Sequence, residues 1–159
     1  MKVRDVMTKQ TVSCTAETNL AQAVQLMWEN ACGFLPVLGE GHNVIGVLTD
    51  RDIAIALGTR NQRASEVRAS DVMPRKLFAC TADEDVHTAL KTLRSEGIRR
   101  LPVIDREGEL IGILSIDDVV LMARVEASWK VVSYEDVENT YKAILLHSSL
   151  KRTRGRTAA

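Results

Sequence analysis

Two stretches of this 159-residue chain set a hydroxyl and a carboxylate three residues apart: Gly46 to Asp52, reading GVLTDRD, and Gly112 to Asp118, reading GILSIDD. In each, a short apolar run of β type ends in Thr49 or Ser115, and Asp52 or Asp118 follows. Such an end has what a sugar and a phosphate need. The glycine, having no Cβ, lets another backbone or a ligand come close. The hydroxyl falls where a helix begins, and there free N–H groups and the helix dipole favour an anion. The carboxylate, one turn on, offers two acceptor oxygens to ribose hydroxyls. The same residues also read as plain helix caps, with the hydroxyls as N-caps and the aspartates as first-turn partners of the dipole. Spacing alone leaves both readings open.

The elements that carry these ends are duplicated. A gapless shift of 66 positions lays Asp5 on Asp71, DVM on DVM, CTA at Cys14 on CTA at Cys80, and LPV at Leu35 on LPV at Leu101. It also lays Gly46 on Gly112, Thr49 on Ser115 and Asp52 on Asp118. Each copy opens with a short strand, Thr11 to Cys14 or Leu77 to Cys80. A helix follows, with Leu20, Ala23, Val24 and Met27, or Val86, Ala89, Leu90 and Leu93, on one stripe. Asn19 and Asp85 stand at the N-cap positions. Gly97 suits a left-handed C-terminal residue, whereas its equivalent Ala31 does not. Strands at Phe34 to Leu38 and Val44 to Leu48, matched by Leu101 to Ile104 and Leu110 to Leu114, are close enough for hairpins. Second helices start near Asp50 and Asp117. The fold class is therefore α/β in the α+β sense: two β-α-β-β-α repeats packed pseudo-symmetrically, because neither copy alone buries much. Repeat 1 spans 1–57, a polar linker 58–68 and repeat 2 69–124; residues 125–159 form a C-terminal helical extension and a basic tail.

Composition narrows the function classes. Lys plus Arg and Asp plus Glu both number 21, so no global field draws the chain to nucleic acid or membrane. Aromatic content of 4% is too low for a base-stacking surface. Cys14, Cys32 and Cys80 lack metal or redox spacing and read as buried thiols in a reducing compartment. No signal-type start or membrane-length apolar run occurs, which points to the cytoplasm. His42, His87 and His147 are scattered and none joins a nucleophile or metal motif, so neither catalytic nor metal-binding residues are expected. Arg60, Arg63 and Arg68 sit in the linker, read as a solvated loop. Ser133 caps a later helix striped by Val137, Tyr141, Ile144 and Leu145. The final KRTRGRTAA is expected to stay unpacked, with a sequence-blind nucleic-acid contact as its one conceivable binding role.

The double repeat, the DVM starts, the LPV strands and the G-x-x-[ST]-x-x-D ends together resemble a tandem pair of cystathionine β-synthase (CBS) domains, a Bateman module, over about Val3 to Met122. That resemblance implies adenosine-type ligands (AMP, ADP or ATP, or S-adenosylmethionine) bound as regulators in clefts between the repeats, no catalytic cofactor, and a homodimer. It implies ribose contacts by Asp52 and Asp118, phosphate-side hydroxyls at Thr49 and Ser115, and base-flanking positions at Val12 and Phe78. Arg99 and Arg100, before the second LPV, match a basic pair that reaches phosphates. The first repeat departs here, with Gly33 and Phe34 in those places and Arg51 as its nearest charge, so two unequal sites are expected. With no catalytic domain in this sequence, the output is expected to act in trans on a partner. The alternative is a ligand-free dimerisation module acting through the C-terminal helix.

Overall fold

The computed structural model describes residues 1–123 and the backbone of 131–156, with side chains through His147. Each repeat forms a three-stranded sheet and two helices. In repeat 1, β1 (Cys14–Thr15) pairs parallel with β2 (Phe34–Leu38), which pairs antiparallel with β3 (Val44–Thr49). Helix α1 (Leu20–Glu29) lies between β1 and β2, and α2 (Asp50–Arg60) follows β3. Repeat 2 repeats the order as β4 (Cys80–Thr81), α3 (Val86–Glu96), β5 (Arg100–Ile104), β6 (Leu110–Ser115) and α4 (Ile116–Met122). A longer helix, α5 (Tyr134–Arg156), closes the described chain. The expected α+β class is the observed one.

Local chemistry accounts for the boundaries. The Asn19 side chain accepts from the Gln22 N–H at 2.9 Å, and Asp85 accepts from that of His87 at 2.9 Å, so both are N-caps. At the far ends, Gly97 takes φ +65°, and Ala31 takes φ +49° despite its Cβ. The same bond holds both turns: Cys32 N–H to the Met27 carbonyl at 2.9 Å and Ile98 N–H to the Leu93 carbonyl at 3.2 Å. Tertiary closure thus overrides the residue preference at Ala31.

The compact units do not follow the order of the repeats. Residues Met1–Lys9 belong with Phe78–Val103 and Ile111–Ala159 in one unit, and Gln10–Leu77 with Ile104–Leu110 in the other. Within the first unit, Val3 is fully buried in the core of repeat 2 and its N–H reaches the Glu84 carbonyl at 3.0 Å. Thr8 and Ile113 exchange both backbone bonds at 2.9 Å. Within the second, Ala69, the equivalent of Val3, is buried in the core of repeat 1 and bonds the Thr18 carbonyl at 2.8 Å. Each DVM segment therefore completes the other copy. The glycines at the strand ends mark the docking points: a Cβ at Gly46 would lie 2.6 Å from the Met73 sulfur, and one at Gly112 2.7 Å from the Met7 sulfur and 3.0 Å from the Thr8 carbonyl oxygen.

Two expectations are corrected. The linker is not a plain loop: α2 takes its first residues to Arg60, Ala64–Glu66 form a 3-10 turn, and Val67 is buried in the core of repeat 1. Arg60 donates to the Asp71 carbonyl and Arg68 pairs with Glu17, so those two guanidiniums are used locally. The basic tail was expected to be unpacked, yet the backbone stays helical through Arg156; residues 157–159 lie outside the described residues. Cys14 and Cys80 are buried as expected, which pushes their thiols to about 11 and about 12, while Cys32 is half-buried. No described helix is long and apolar enough to cross a membrane.

Helix α5 belongs to the first unit and packs on α3 and α4. Ser133 caps it, exchanging bonds with Asp136 at 2.8 to 3.1 Å. Ile144 and Thr140 are buried, and Arg94 donates to Thr140 Oγ1 at 2.7 Å and to the Asp136 carbonyl at 3.0 Å. Tyr141 reaches Asp117 at 3.0 Å. Of the expected stripe, Leu145 instead faces out. His87 lies between the carboxylates of Asp85 (2.9 Å) and Asp136 (3.5 Å).

Two measurements check this picture. Gly112→Ala is expected to lower the unfolding free energy by about 1–3 kcal/mol, since backbone as well as Met7 stands in the way, whereas Gly58→Ala, with open space at its Cβ, raises it by up to about 1 kcal/mol; urea midpoints report both. Burial opposes ionisation of Asp136 and Asp85, but the Ser133 and His87 bonds outweigh it and hold both carboxyls below the ordinary 3.8. The stability they add is present above that value and lost as pH falls through the lower folded one. Urea midpoints should therefore fall below about pH 4, and Asp136→Asn should flatten that fall.

Candidate functional site

Both hydroxyls end a strand and cap the next helix. Thr49 Oγ1 donates to Asp52 Oδ2 at 2.6 Å and accepts from the Asp52 N–H at 3.2 Å, while the Thr49 N–H meets the same Oδ2 at 3.0 Å. Ser115 and Asp118 repeat the box at 2.6, 3.0 and 2.9 Å. This is a reciprocal capping box with Asp at the third helical position. Ser133 and Asp136 form a third one at the start of α5, outside the repeats. The box is thus a general helix start in this chain, and what surrounds it must supply any ligand chemistry.

The surroundings differ between the copies. In the unit holding repeat 1, Asp52 Oδ1 has no protein partner among the described residues, Val12 packs against the core, and Arg51 is exposed. The Asp50 N–H bonds the Gly33 carbonyl at 3.2 Å, and the Asp50 carboxylate folds over Gly33, where a Cβ would lie 2.6 Å from Oδ2. In the other unit, the Ile116 N–H makes the equivalent bond to the Arg99 carbonyl at 2.9 Å. That bond seats Arg99 and Arg100 beside the Ser115–Asp118 box. Arg99 is exposed and makes no ion pair among the described residues, while Arg100 reaches Asp117 Oδ2 at 3.4 Å. Phe78 packs against that unit's core. One copy thus offers guanidiniums where the other offers a carboxylate.

The structure brings Phe78, Arg99, Arg100, Ser115 and Asp118 into one unit and Val12, Thr49, Arg51 and Asp52 into the other. It adds three residues the sequence did not suggest. Thr8 Oγ1 donates to Asp118 Oδ1 at 3.2 Å, and its equivalent under the shift is Pro74, so the repeat carries no signal for it. Asp117 joins Arg100 to Tyr141, whose hydroxyl pKa is raised by burial and by that bond. Asp50, read only as a helix start, turns its carboxylate over Gly33. Among the described residues no His, Cys, Asp and Glu cluster could hold a metal ion.

Thr49→Ala, Ser115→Ala and Ser133→Ala should each lower the unfolding free energy by about 0.5–2 kcal/mol, the usual loss for a cap, as read by urea denaturation.

A family model described as CBS domain matches residues 3–59 and 69–123. The CBS domain-containing protein YhcV of Bacillus subtilis is 31% identical over 75% of this chain and 83% of its own length. The chain spans only 24% of another relative, the L-aspartate semialdehyde sulfurtransferase of Methanosarcina acetivorans, at 30% identity over 77% of this chain. Among solved structures, CBSX2 in complex with AMP aligns with a TM-score of 0.66 at 27% identity, covering 76% of this chain and 93% of that one. The CBS domain pair of MJ0100, in complex with 5′-methylthioadenosine and S-adenosyl-L-methionine, aligns with a TM-score of 0.67 at 22% identity, over 76% and 94%.

Proposed function

The chain belongs to the CBS domain family, and on that premise we propose that it is a regulatory module binding adenosine-type ligands at its two strand ends, rather than an enzyme. The observation that carries this reading is the Ile116 to Arg99 bond, which sets two guanidiniums beside the Ser115–Asp118 box. Arg99 and Arg100 suit a phosphate through charge-assisted, bidentate bonds. Asp118 retains acceptor capacity for a ribose hydroxyl beyond the Thr8 bond. A phosphorylated nucleotide of the AMP, ADP or ATP class therefore fits repeat 2. At repeat 1 the Asp50 carboxylate disfavours an added anion, while Asp52 Oδ1 is open to a ribose. That site suits a less anionic adenosyl ligand such as S-adenosylmethionine, with Val12 flanking the base and Arg51 at the edge.

The AMP bound by CBSX2 and the adenosyl ligands bound by the MJ0100 pair support the ligand class. The relative that is an enzyme by name is about four times longer than the part matched here, which fits an accessory role for the repeats. The output of binding passes in trans to a partner protein. The assembly reading keeps one structural support, the outward Leu145 and Leu146 of α5; Tyr141 and Ile144 are engaged within their own unit.

Calorimetric titration with AMP, ATP, NAD and S-adenosylmethionine tests the proposal. Arg99→Gln should weaken AMP by about tenfold to a hundredfold, the loss of one charge-assisted bond, while leaving unphosphorylated adenosine unchanged. Asp118→Asn should weaken both. No heat with any of the four ligands would favour assembly.

A further inference from the structure

The shift that relates the repeats also relates two helical faces. On repeat 2 the face made by α3 and α4 is occupied by α5, and Leu90 beneath it is 0% exposed. The equivalent face on repeat 1, made by α1 and α2, is an open groove of about 720 Å³ lined by Val24, Met27, Trp28, Cys32, Ile53 and Ala54 among others. Val24, the equivalent of Leu90, is 45% exposed there, and Trp28, the equivalent of Arg94, is 85% exposed. A tryptophan that far into water beside an apolar depression marks an unfilled contact, since rings of this size bury about 150–250 Å² where they pack.

The occupant is not a second α5-like helix. The anchors of α5 are Arg94, which takes Thr140 and the Asp136 carbonyl, and Asp117, which takes Tyr141. Their equivalents here are Trp28 and Arg51, which supply neither the guanidinium nor the carboxylate. What the groove supplies is a projecting ring and an apolar hollow on one patch. Those are the two halves of a self-complementary contact, as a two-fold interface requires. At the rim Asp50 and Arg51 carry opposite charges, so a two-fold pairing sets no net like charge across it. We propose that the α1–α2 face docks a second copy of this chain, with Trp28 of each copy seated in the groove of the other. Because α5 seals the equivalent face of repeat 2, the contact closes at two copies instead of propagating. It does not depend on nucleotide binding.

Sedimentation velocity of the full chain, from about 1 to about 200 μM without nucleotide, tests this across the range where a transient dimer dissociates. The wild type should sediment as a dimer at the upper end. Trp28→Arg, which installs the residue found at the equivalent position of repeat 2, should weaken the dimer by about 30-fold or more, as expected for an interface anchor, without lowering the urea midpoint. Leu121→Arg, on an exposed part of α4, should leave the mass unchanged. A wild type that stays monomeric at about 200 μM, or a Trp28→Arg variant that stays dimeric, would overturn the proposal.

Discussion

The close approach of a methionine sulfur to a glycine at the end of a strand is the constraint on which the two repeats depend. Met7 lies over Gly112 and Met73 over Gly46, and each methionine belongs by sequence to the copy it does not complete. The DVM and G-x-x-[ST]-x-x-D motifs are therefore two sides of one contact. The glycine that could have made room for a ligand makes room first for a thioether, and the aspartates of the two DVM segments cap the short turns that deliver it, accepting from the Lys2 and Arg68 N–H groups. Adaptable, polarisable methionine suits this role, filling space that no Cβ occupies.

That arrangement separates what the strand ends do for the fold from what they do for a ligand. The capping boxes at Thr49, Ser115 and Ser133 are alike in geometry, and the third has nothing to do with the repeats. Functional difference arises one layer out, where Gly33 and Arg99 occupy equivalent positions under the same backbone bond. A missing side chain lets Asp50 fold inward, and a present one brings a guanidinium. A single substitution in an ancestral repeat thus inverts the local charge without disturbing the fold.

The periodic and duplicated parts of this architecture were legible in the sequence. Asn19, Asp85, Ser133 and Gly97 act as their residue types dictate, and the β-α-β-β-α order follows from stripes and turns. The exchange of lead segments was not legible, because a perfect shift register says which residues are equivalent and nothing about which copy they pack on. Thr8 escaped notice for that reason. Ala31 shows the complementary limit, a left-handed residue imposed by the Cys32 to Met27 bond against its own preference. The burial of Val67 was masked by the polar residues around it.

The exchanged segments also set the order in which the chain can fold. Repeat 1 finds its missing piece in residues 67–77, immediately downstream, so its contacts close over short loops. Repeat 2 must recover residues 1–9, with Val3 meeting Glu84 and Thr8 meeting Ile113 across most of the chain. Loop-closure entropy rises with that separation, and folding rates fall with mean contact distance along the chain. The copy synthesised first is thus kinetically local, and the copy synthesised second is tied to the oldest residues of the chain. During synthesis, Met1–Lys9 remain an unpartnered strand edge and apolar surface until residues near 113 emerge, the interval in which the nascent chain is most open to misassociation.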